Sequence, residues 1–504
     1  MSQGRIVVVG AGVGGLVCAL KLAHAGREVV LVEAAASPGG KMRQVQIGRH
    51  TLDAGPTVFT MRWVFDELLA ECGHDLAALL PMRAATTLGR HAWADGQHGP
   101  VFLDLFANLQ ASADAIGMFA GADEARNYLA FAKKSRQVYQ SLDQAYVRGS
   151  RPTPWSLVHR VGWRGLPGLA RISPFTTLWQ ELGNHFKTYR MQQLFGRYAT
   201  YCGSSPYLAP ATLMLIAHVE QEGLWLVEGG MHRVATLLAE LTMQAGGSIR
   251  YNTRVQEVLQ RNGQVTGVRL EHGDGETEQI SASAVVYNGD VAALAAGLLG
   301  PDLVTTRPAP APRSLSALTW NMVTVPQGFP LLRHTVFFSS NYEAEFKHLF
   351  KRAQLPDQPT VYVCALDRSD QEDCHAQRGE PERLLCVVNA PADGDTASWA
   401  PETYRACESE AWGLLARCGL SFSADSTHSM VSTPKDFARL FPGTGGALYG
   451  QPSHGWLSSF QRPGARTAIS GLYLAGGSVH PGPGVPMAAL SGRQAAASVL
   501  EDRL

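Results

Sequence analysis

Apolar positions in this chain follow two periods, and their order along the sequence divides it. Residues 6–9 and 29–32 are continuous apolar runs rich in valine, the mark of strands buried on both faces in a parallel sheet. A third short run of this kind spans 472–475, and a helix is predicted after it over 488–501. Residues 248–259, 264–272 and 276–286 instead alternate apolar with polar, with turn signals at Asn262-Gly263 and Gly273-Asp274-Gly275, so a meander is predicted there behind a helix over 232–245. Between 86 and 214 the spacing is mostly helical, whereas 317–324, 334–339, 360–366 and 384–390 read as strands of a further sheet.

At 504 residues the chain exceeds the size that one core usually serves. The pattern predicts one discontinuous α/β domain from residues 1–85, 215–300 and 455–504, a helical cap over 86–214 and a second sheet over 301–454.

Glycines punctuate the buried runs where chemistry is to be expected. Gly10, Gly12 and Gly15 follow the first run as G-x-G-x-x-G: the first permits a tight turn, the second clears a side chain from an approaching pyrophosphate, the third lets helix and strand pack closely. The helix N-terminus adds positive potential. Glu33 closes the second run at the distance of a carboxylate that takes a ribose hydroxyl. A dinucleotide is therefore expected. A second glycine-rich loop, Ser37-Pro-Gly-Gly-Lys-Met-Arg43, and then Asp53-Ala-Gly-Pro-Thr57 replace the next helix and strand of a nicotinamide site. That order resembles the large flavoprotein group in which FAD lies extended and basic residues such as Lys41 and Arg43 offset its charge. In Gly471-Leu-Tyr-Leu-Ala-Gly-Gly-Ser-Val-His-Pro-Gly-Pro-Gly-Val-Pro-Met487 a short strand, glycines and a helix start recur; Gly476 and Gly477 allow close backbone approach.

Charge and composition narrow the partners. Lys plus Arg number 43 and Asp plus Glu 43, so long-range attraction to a polyphosphate is absent and nucleic acid is not expected. The 8 cysteines show neither C-x-x-C nor metal-ligand spacing, which predicts reduced thiols and no metal. The nucleotide strand starts so near Met1 that no cleavable leader is expected. No window approaches the roughly 18 apolar residues of a spanning helix, so membrane contact is expected to be peripheral. Residues 151–203 mix aromatics (Trp155, Trp163, Phe175, Trp179, Phe186, Tyr189, Phe195, Tyr198, Tyr201) with cations (Arg160, Arg164, Arg171, Lys187, Arg190, Arg197), which suits either a lipid headgroup layer or an ordinary helical core.

Across nearly its whole length the chain resembles the phytoene-desaturase-type carotenoid desaturases and isomerases. Asp53-Ala-Gly-Pro-Thr-Val-Phe-Thr-Met-Arg62, Glu228-Gly-Gly-Met-His232, Ser453-His-Gly-Trp456 and the 476–487 block look most like bacterial hydroxyneurosporene (methoxyneurosporene) desaturases. The resemblance implies a discontinuous Rossmann-like, amine-oxidase-like FAD domain with an inserted substrate domain. FAD contacts then fall on Gly10, Gly12, Gly15, Glu33, Gly40, Lys41, Pro56, Thr57, Val255, Asp290, Gly476 and Met487, with Arg43, Gly477, Val485 and Pro486 beside them. The implied reaction introduces the 3,4 double bond of 1-hydroxy or 1-methoxy acyclic carotenoids on the way to spheroidene or spirilloxanthin. Hydride leaves for flavin N5, held within roughly 3.5 Å in a dry slot, and a proton follows. Oxygen or quinone would reoxidise the flavin, at the inner photosynthetic membrane facing a bacterial cytoplasm.

An Asp-x-x-Arg pair of some relatives would fall at Leu157 and Arg160, so its carboxylate is missing here. The expected polar groups at the reacting end are Arg160 and His480, with bracing of the last loop as the other reading of His480. Phytoene desaturation, redox-neutral polyene isomerisation, amine oxidation and non-enzymatic lipid binding remain the competing functions.

Overall fold

The computed structural model describes residues 4–96, 99–153, 175–303, 312–370, 380–397, 399–423 and 427–502. Among them, the continuous apolar runs meet in one five-stranded sheet ordered Leu472–Leu474, Ala284–Tyr287, Ile6–Val9, Val29–Val32, Ser248–Arg250. All four pairings are parallel. Val9 lies opposite both Tyr287 and Val32, and Tyr287 opposite Leu474, so the strands share one carboxyl edge. There the chain leaves as Gly10, Asn288 and Ala475, which places three stretches far apart in sequence side by side.

The helix after the opening strand, Val13–His24, has hardly a wet face: Leu16 through Leu20 and Leu22 are fully buried. It packs on the His232–Gln244 helix and on the closing helix Val485–Glu501. Contact with the closing helix depends on glycine on both sides. A Cβ on Gly492 would lie 2.1 Å from the Gly14 carbonyl oxygen, and one on Gly14 would lie 3.0 Å from the Ala488 carbonyl oxygen.

Two departures from the sequence pattern concern strands that change sheet. The 248–259 run is split: Ser248–Arg250 edges the parallel sheet, and Thr253–Arg261 joins an antiparallel three-stranded sheet with Gln264–His272 and Thr277–Ser281. Asn252, at φ 51°, makes the bend. Likewise 276–286 is two strands, of which Ala284–Tyr287 is buried throughout.

The 86–214 segment opens with a hairpin, Thr87–Gly96 and Gly99–Phe106, where helix is expected. This hairpin ends a seven-stranded sheet ordered His428–Ser432, Ser316–Thr324, Glu382–Ala390, Val361–Ala365, His334–Phe337, Thr87–Gly96, Gly99–Phe106. Its partner His334–Phe337 lies some 240 residues on by number, and so distant a pairing leaves no local signal. Helices follow, among them Leu109–Ala120, Ala122–Leu142, Leu178–His185, Tyr189–Gly196 and Leu215–Glu222. Of the aromatics in this stretch, Phe186, Phe195 and Tyr198 are core residues packed with Phe131, which is the helical-core alternative, while Phe175 points outward. Trp155, Trp163, Arg160, Arg164 and Arg171 lie outside the described residues.

The Gly14/Gly492 crossing is open to a direct test. Gly492→Val should lower the thermal unfolding midpoint by several degrees, as expected for overpacking of about 1–3 kcal/mol. Ala497→Val, on the exposed side of the same helix, should leave it almost unmoved when both are followed by circular dichroism.

Candidate active site

Between the parallel sheet and the seven-stranded sheet runs a cavity of about 1340 Å³, larger than the roughly 300–1,000 Å³ of an ordinary small-molecule pocket. Both helix starts open onto it: Gly12 to Gly14 at one point, Gly484 to Ala488 at another. Their N-terminal N–H groups favour anionic oxygen at the same wall.

Each group predicted for the dinucleotide has a distinct setting. Gly10 and Gly12 line the cavity, and a Cβ on Gly12 would approach the Asn288 amide nitrogen to 2.9 Å. Gly15 sits behind the wall, where a Cβ would lie 2.1 Å from the Gly10 carbonyl oxygen, as close helix-strand packing requires. Glu33 accepts the Ala11 N–H at 2.6 Å and the Ala35 N–H at 2.8 Å, one on each oxygen, while facing the cavity. Burial raises its pKa against the pull of those N–H groups. Each carboxylate oxygen keeps a lone pair for a sugar hydroxyl.

The second glycine loop lies against the first: the Gly39 N–H donates to the Ala11 carbonyl at 2.8 Å, and a Cβ on Gly40 would sit 3.2 Å from the Gly12 α carbon. Lys41 reaches the wall and donates to the Leu448 carbonyl at 2.7 Å; burial lowers its pKa, with Asp290 opposing and Arg462 adding to the fall. Arg43, also on the wall, donates to Ser432 at 3.0 Å and stands over the Phe437 ring. Asp290 caps the next helix through the Ala292 N–H at 3.0 Å. Pro56, Thr57 and Val255 line the cavity, as do Gly476, Gly477, Val485, Pro486 and Met487.

The remaining expectations fare differently. His480 is fully buried (0%) and is not a wall residue. Its Nε2 lies 3.0 Å from the Gly149 carbonyl, its backbone N–H donates to Pro463, and its ring meets Tyr146 edge-on at 4.8 Å. The ring is thus spent on bracing the closing loop from behind, which removes it from the reacting end. Leu157 and Arg160 lie outside the described residues.

Sequence reasoning missed several groups. Asn288 donates from Nδ2 to the Gly10 carbonyl at 3.1 Å and stands within a Cβ contact of Gly12, Gly14, Gly15 and Gly476, a wedge among the glycines. Farther along, the Tyr362 hydroxyl lies 2.7 Å from both Thr57 Oγ1 and His334 Nδ1. Burial and the charges of Arg333 and Arg197, partly offset by Asp370, push the His334 pKa down to about 3, so the ring is neutral. Arg197, Tyr201 and Glu220 form a further polar patch. Spacing carries no trace of the Thr57–Tyr362 contact, because 305 residues separate the two; Arg197 and Tyr201, in the aromatic and cationic stretch, are legible as residues but not as a pair facing Glu220.

An extended nucleotide fits this donor set: one helix start for phosphate and a second for the negative charge of a reduced ring, a carboxylate for ribose and glycine backbone where a Cβ would intrude. Gly12→Val should therefore purify without the yellow absorbance of flavin, and a yellow, stoichiometrically loaded variant would show that the opening loop is not the cradle.

The comparisons with known proteins agree with this geometry. The family described as flavin containing amine oxidoreductase matches residues 13–500. Hydroxyneurosporene desaturase of Rubrivivax gelatinosus is 52% identical over 499 residues, covering 98% of this chain and 93% of that protein. The 1-hydroxycarotenoid 3,4-desaturase of Flavobacterium sp. (strain P99-3) is 30% identical over 499 residues, covering 97% of each chain. Among solved structures, an oxidoreductase from Methanosarcina mazei has a TM-score of 0.61 at 16% identity, over 99% of this chain and 100% of that one, which speaks for the fold alone. Sequence similarity sustained over nearly the whole length goes further than shape, and by it the chain belongs to the flavin-containing amine oxidoreductase family, in its carotenoid-desaturase group, with FAD as the cofactor.

Proposed function

We propose that this protein is an FAD-dependent carotenoid desaturase that forms the C3–C4 double bond of 1-hydroxy or 1-methoxy acyclic carotenoids. The observation that carries the reading is the continuity of the cavity. It passes from the dinucleotide cradle into a chamber walled by Leu213, Ile216 and Val219 on the helical side and Val336, Leu385 and Val387 on the sheet side. A long hydrocarbon has no other chemistry by which to be held, and burial of its surface is worth roughly 25 cal/mol per Å². In this reading residues 4–85, 223–300 and 455–502 hold the cofactor, the sheet of 301–454 with the 87–106 hairpin forms the chamber floor, and the described helices between 109 and 222 form its roof.

Bound FAD supplies the acceptor for the hydride that desaturation removes. The protein's own part is to orient the polyene, keep water out and receive the proton lost from the neighbouring carbon. Loss of hydride leaves an allylic cation whose adjacent C–H is strongly acidic, so a weak base is enough. The Tyr362 hydroxyl, between Thr57 and neutral His334, suits that role: its oxygen can take a proton as its own passes to the His334 ring. Gly10, Gly12, Glu33, Lys41 and the 476–487 loop hold the nucleotide, and Arg160 keeps no assigned part.

The mouth supports work at a membrane surface. Phe175 (79% exposed) and Trp456 (43% exposed) meet edge-to-face at 5.3 Å, and both line the cavity. Among the described residues no helix is long and apolar enough to cross a membrane. The substrate would enter from the inner membrane of a bacterial cell, and oxygen or quinone would take the electrons.

Liposomes carrying phytoene, neurosporene or 1-hydroxyneurosporene, given the FAD-loaded protein, separate the readings. A red shift with loss of two hydrogens is expected only with the hydroxylated polyene. A product of unchanged mass would mean isomerisation, and equal action on phytoene would remove the end-group assignment. Tyr362→Phe is expected to lower kcat by about 10²-fold with KM little changed; an unaltered kcat would clear Tyr362 of the proton.

A further inference from the structure

A buried ion pair stands in the wall of the apolar chamber, and the reaction described above leaves it without a task. Arg197 is 8% exposed and Glu220 2%, yet both line the cavity together with Tyr201. Arg197 donates from Nε to His91 Nε2 at 3.2 Å and from Nη1 to the Tyr201 hydroxyl at 2.7 Å, and its Nη2 lies 3.5 Å from Glu220 Oε1. The Tyr201 hydroxyl donates to Glu220 Oε1 at 2.8 Å, and the Tyr198 hydroxyl donates to Oε2. Burial pulls the Arg197 pKa down, but Tyr201, Glu220 and Tyr198 outweigh it, so the guanidinium stays charged. Burial, with the same guanidinium, keeps His91 neutral as an acceptor.

Two physical points give this patch a purpose. Taking each ion out of water costs several kcal/mol, and leucine or methionine would wall a pure hydrocarbon slot at no such cost. A guanidinium also carries five N–H donors. Among the described residues its partners engage three of them at most, and the residue lines the cavity.

We propose that Arg197, held by Glu220 and Tyr201, is the subsite for an oxygen-bearing end group of the polyene, and so selects hydroxylated or methoxylated substrates over the hydrocarbon. This rests on the desaturase reading above. An ether or hydroxyl oxygen accepts from the guanidinium, and a hydroxyl can in addition donate to Glu220. A hydrocarbon end group would cover the ion pair and return no hydrogen bond. A site built to bond a hydroxyl can reject the analogue lacking it by up to about 10⁴-fold.

The position agrees. His91, Val336 and Tyr362 are register partners in one row across three neighbouring strands, and such partners present their side chains to the same face. At about 4.8 Å between strands, the α carbon of His91, which holds Arg197, lies about 10 Å from that of Tyr362. Carbon 1 is two bonds from carbon 3, so an end-group anchor has to stand about that close to the group that receives the proton. Arg197 touches the substrate in this scheme; Tyr201 and Glu220 position it.

The test is the ratio of kcat/KM for 1-hydroxyneurosporene to that for neurosporene, each in phosphatidylcholine vesicles with FAD-loaded protein. Arg197→Met should collapse the ratio by about 10²-fold or more, chiefly through the hydroxylated substrate. If the lone Glu220 charge prevents folding, the Arg197→Met/Glu220→Gln pair removes both charges and should show the same collapse. Tyr201→Phe, which keeps ring and charge, should lower the ratio about tenfold, the worth of one hydrogen bond to a charged group. The desaturated product keeps its hydroxyl but cannot react again at C3–C4, so its Kd should rise in step with the fall in the ratio. A wild-type protein that desaturates both polyenes with no preference for the hydroxylated one would overturn the end-group assignment on which this subsite rests. A selective wild type whose flavin-loaded variants stay equally selective would overturn only the role of Arg197.

Discussion

Absence of side chains at one helix crossing governs most of what this protein can do. The opening helix and the closing helix meet with Gly14 against Gly492, so closely that a single methyl group at the second position would lie 2.1 Å from the carbonyl oxygen of the first. Parallel pairing of 6–9 with 284–287, and of that strand with 472–474, brings the two ends of the chain to one sheet edge. The glycine contact then lets both helix starts face the same space. Two positive helix ends directed at one cavity make an anion site that neither segment provides alone. Asn288 completes the joint, filling the gap between the two glycine loops and tying the first with a hydrogen bond to Gly10.

The second constraint is the contrast between that polar cradle and the chamber beyond it. Its sheet wall presents one side-chain row per strand, so apolar Val336, Leu385 and Val387 alternate across the same face with hydroxyl-bearing Tyr362 and Thr319. The helices opposite supply Leu213, Ile216 and Val219. In such surroundings each polar group is expensive and has to be matched. Tyr362 has Thr57 and His334; Arg197 has Glu220, Tyr201 and His91. The low dielectric that makes these groups costly also makes their hydrogen bonds directional and strong, which is what recognition of one oxygen on a long hydrocarbon demands.

The 87–106 hairpin and His480 show where local reading fails and why. The hairpin's burial comes from a strand some 240 residues later, and nothing within a helical-looking stretch announces that partner. His480 stands in a loop that does face the cavity, yet its ring turns to Gly149 and Tyr146, where the carbonyl behind the loop meets Nε2 and the tyrosine packs edge-on. A motif locates a backbone; it does not say which way a ring within it points.

What the sequence determined by itself is whatever short-range physics dictates. Valine runs specify doubly buried strands, glycines at 10, 12, 476 and 477 specify where backbone may approach a diphosphate or a ring, Gly15 lets the first helix pack on its strand, and Glu33 follows at a spacing that the strand-helix-strand unit enforces. The wall positions of Lys41, Arg43, Thr57, Val255 and Asp290 follow from the same segments. Only the tertiary structure decided what stands opposite them. Asn288 among the glycines, Tyr362 beside Thr57, and Arg197 with Glu220 are meetings of residues on different elements, brought together by register across sheets and by a helical roof. Such contacts leave no periodicity in the chain, since they depend on the distance between surfaces and not on the distance between residues.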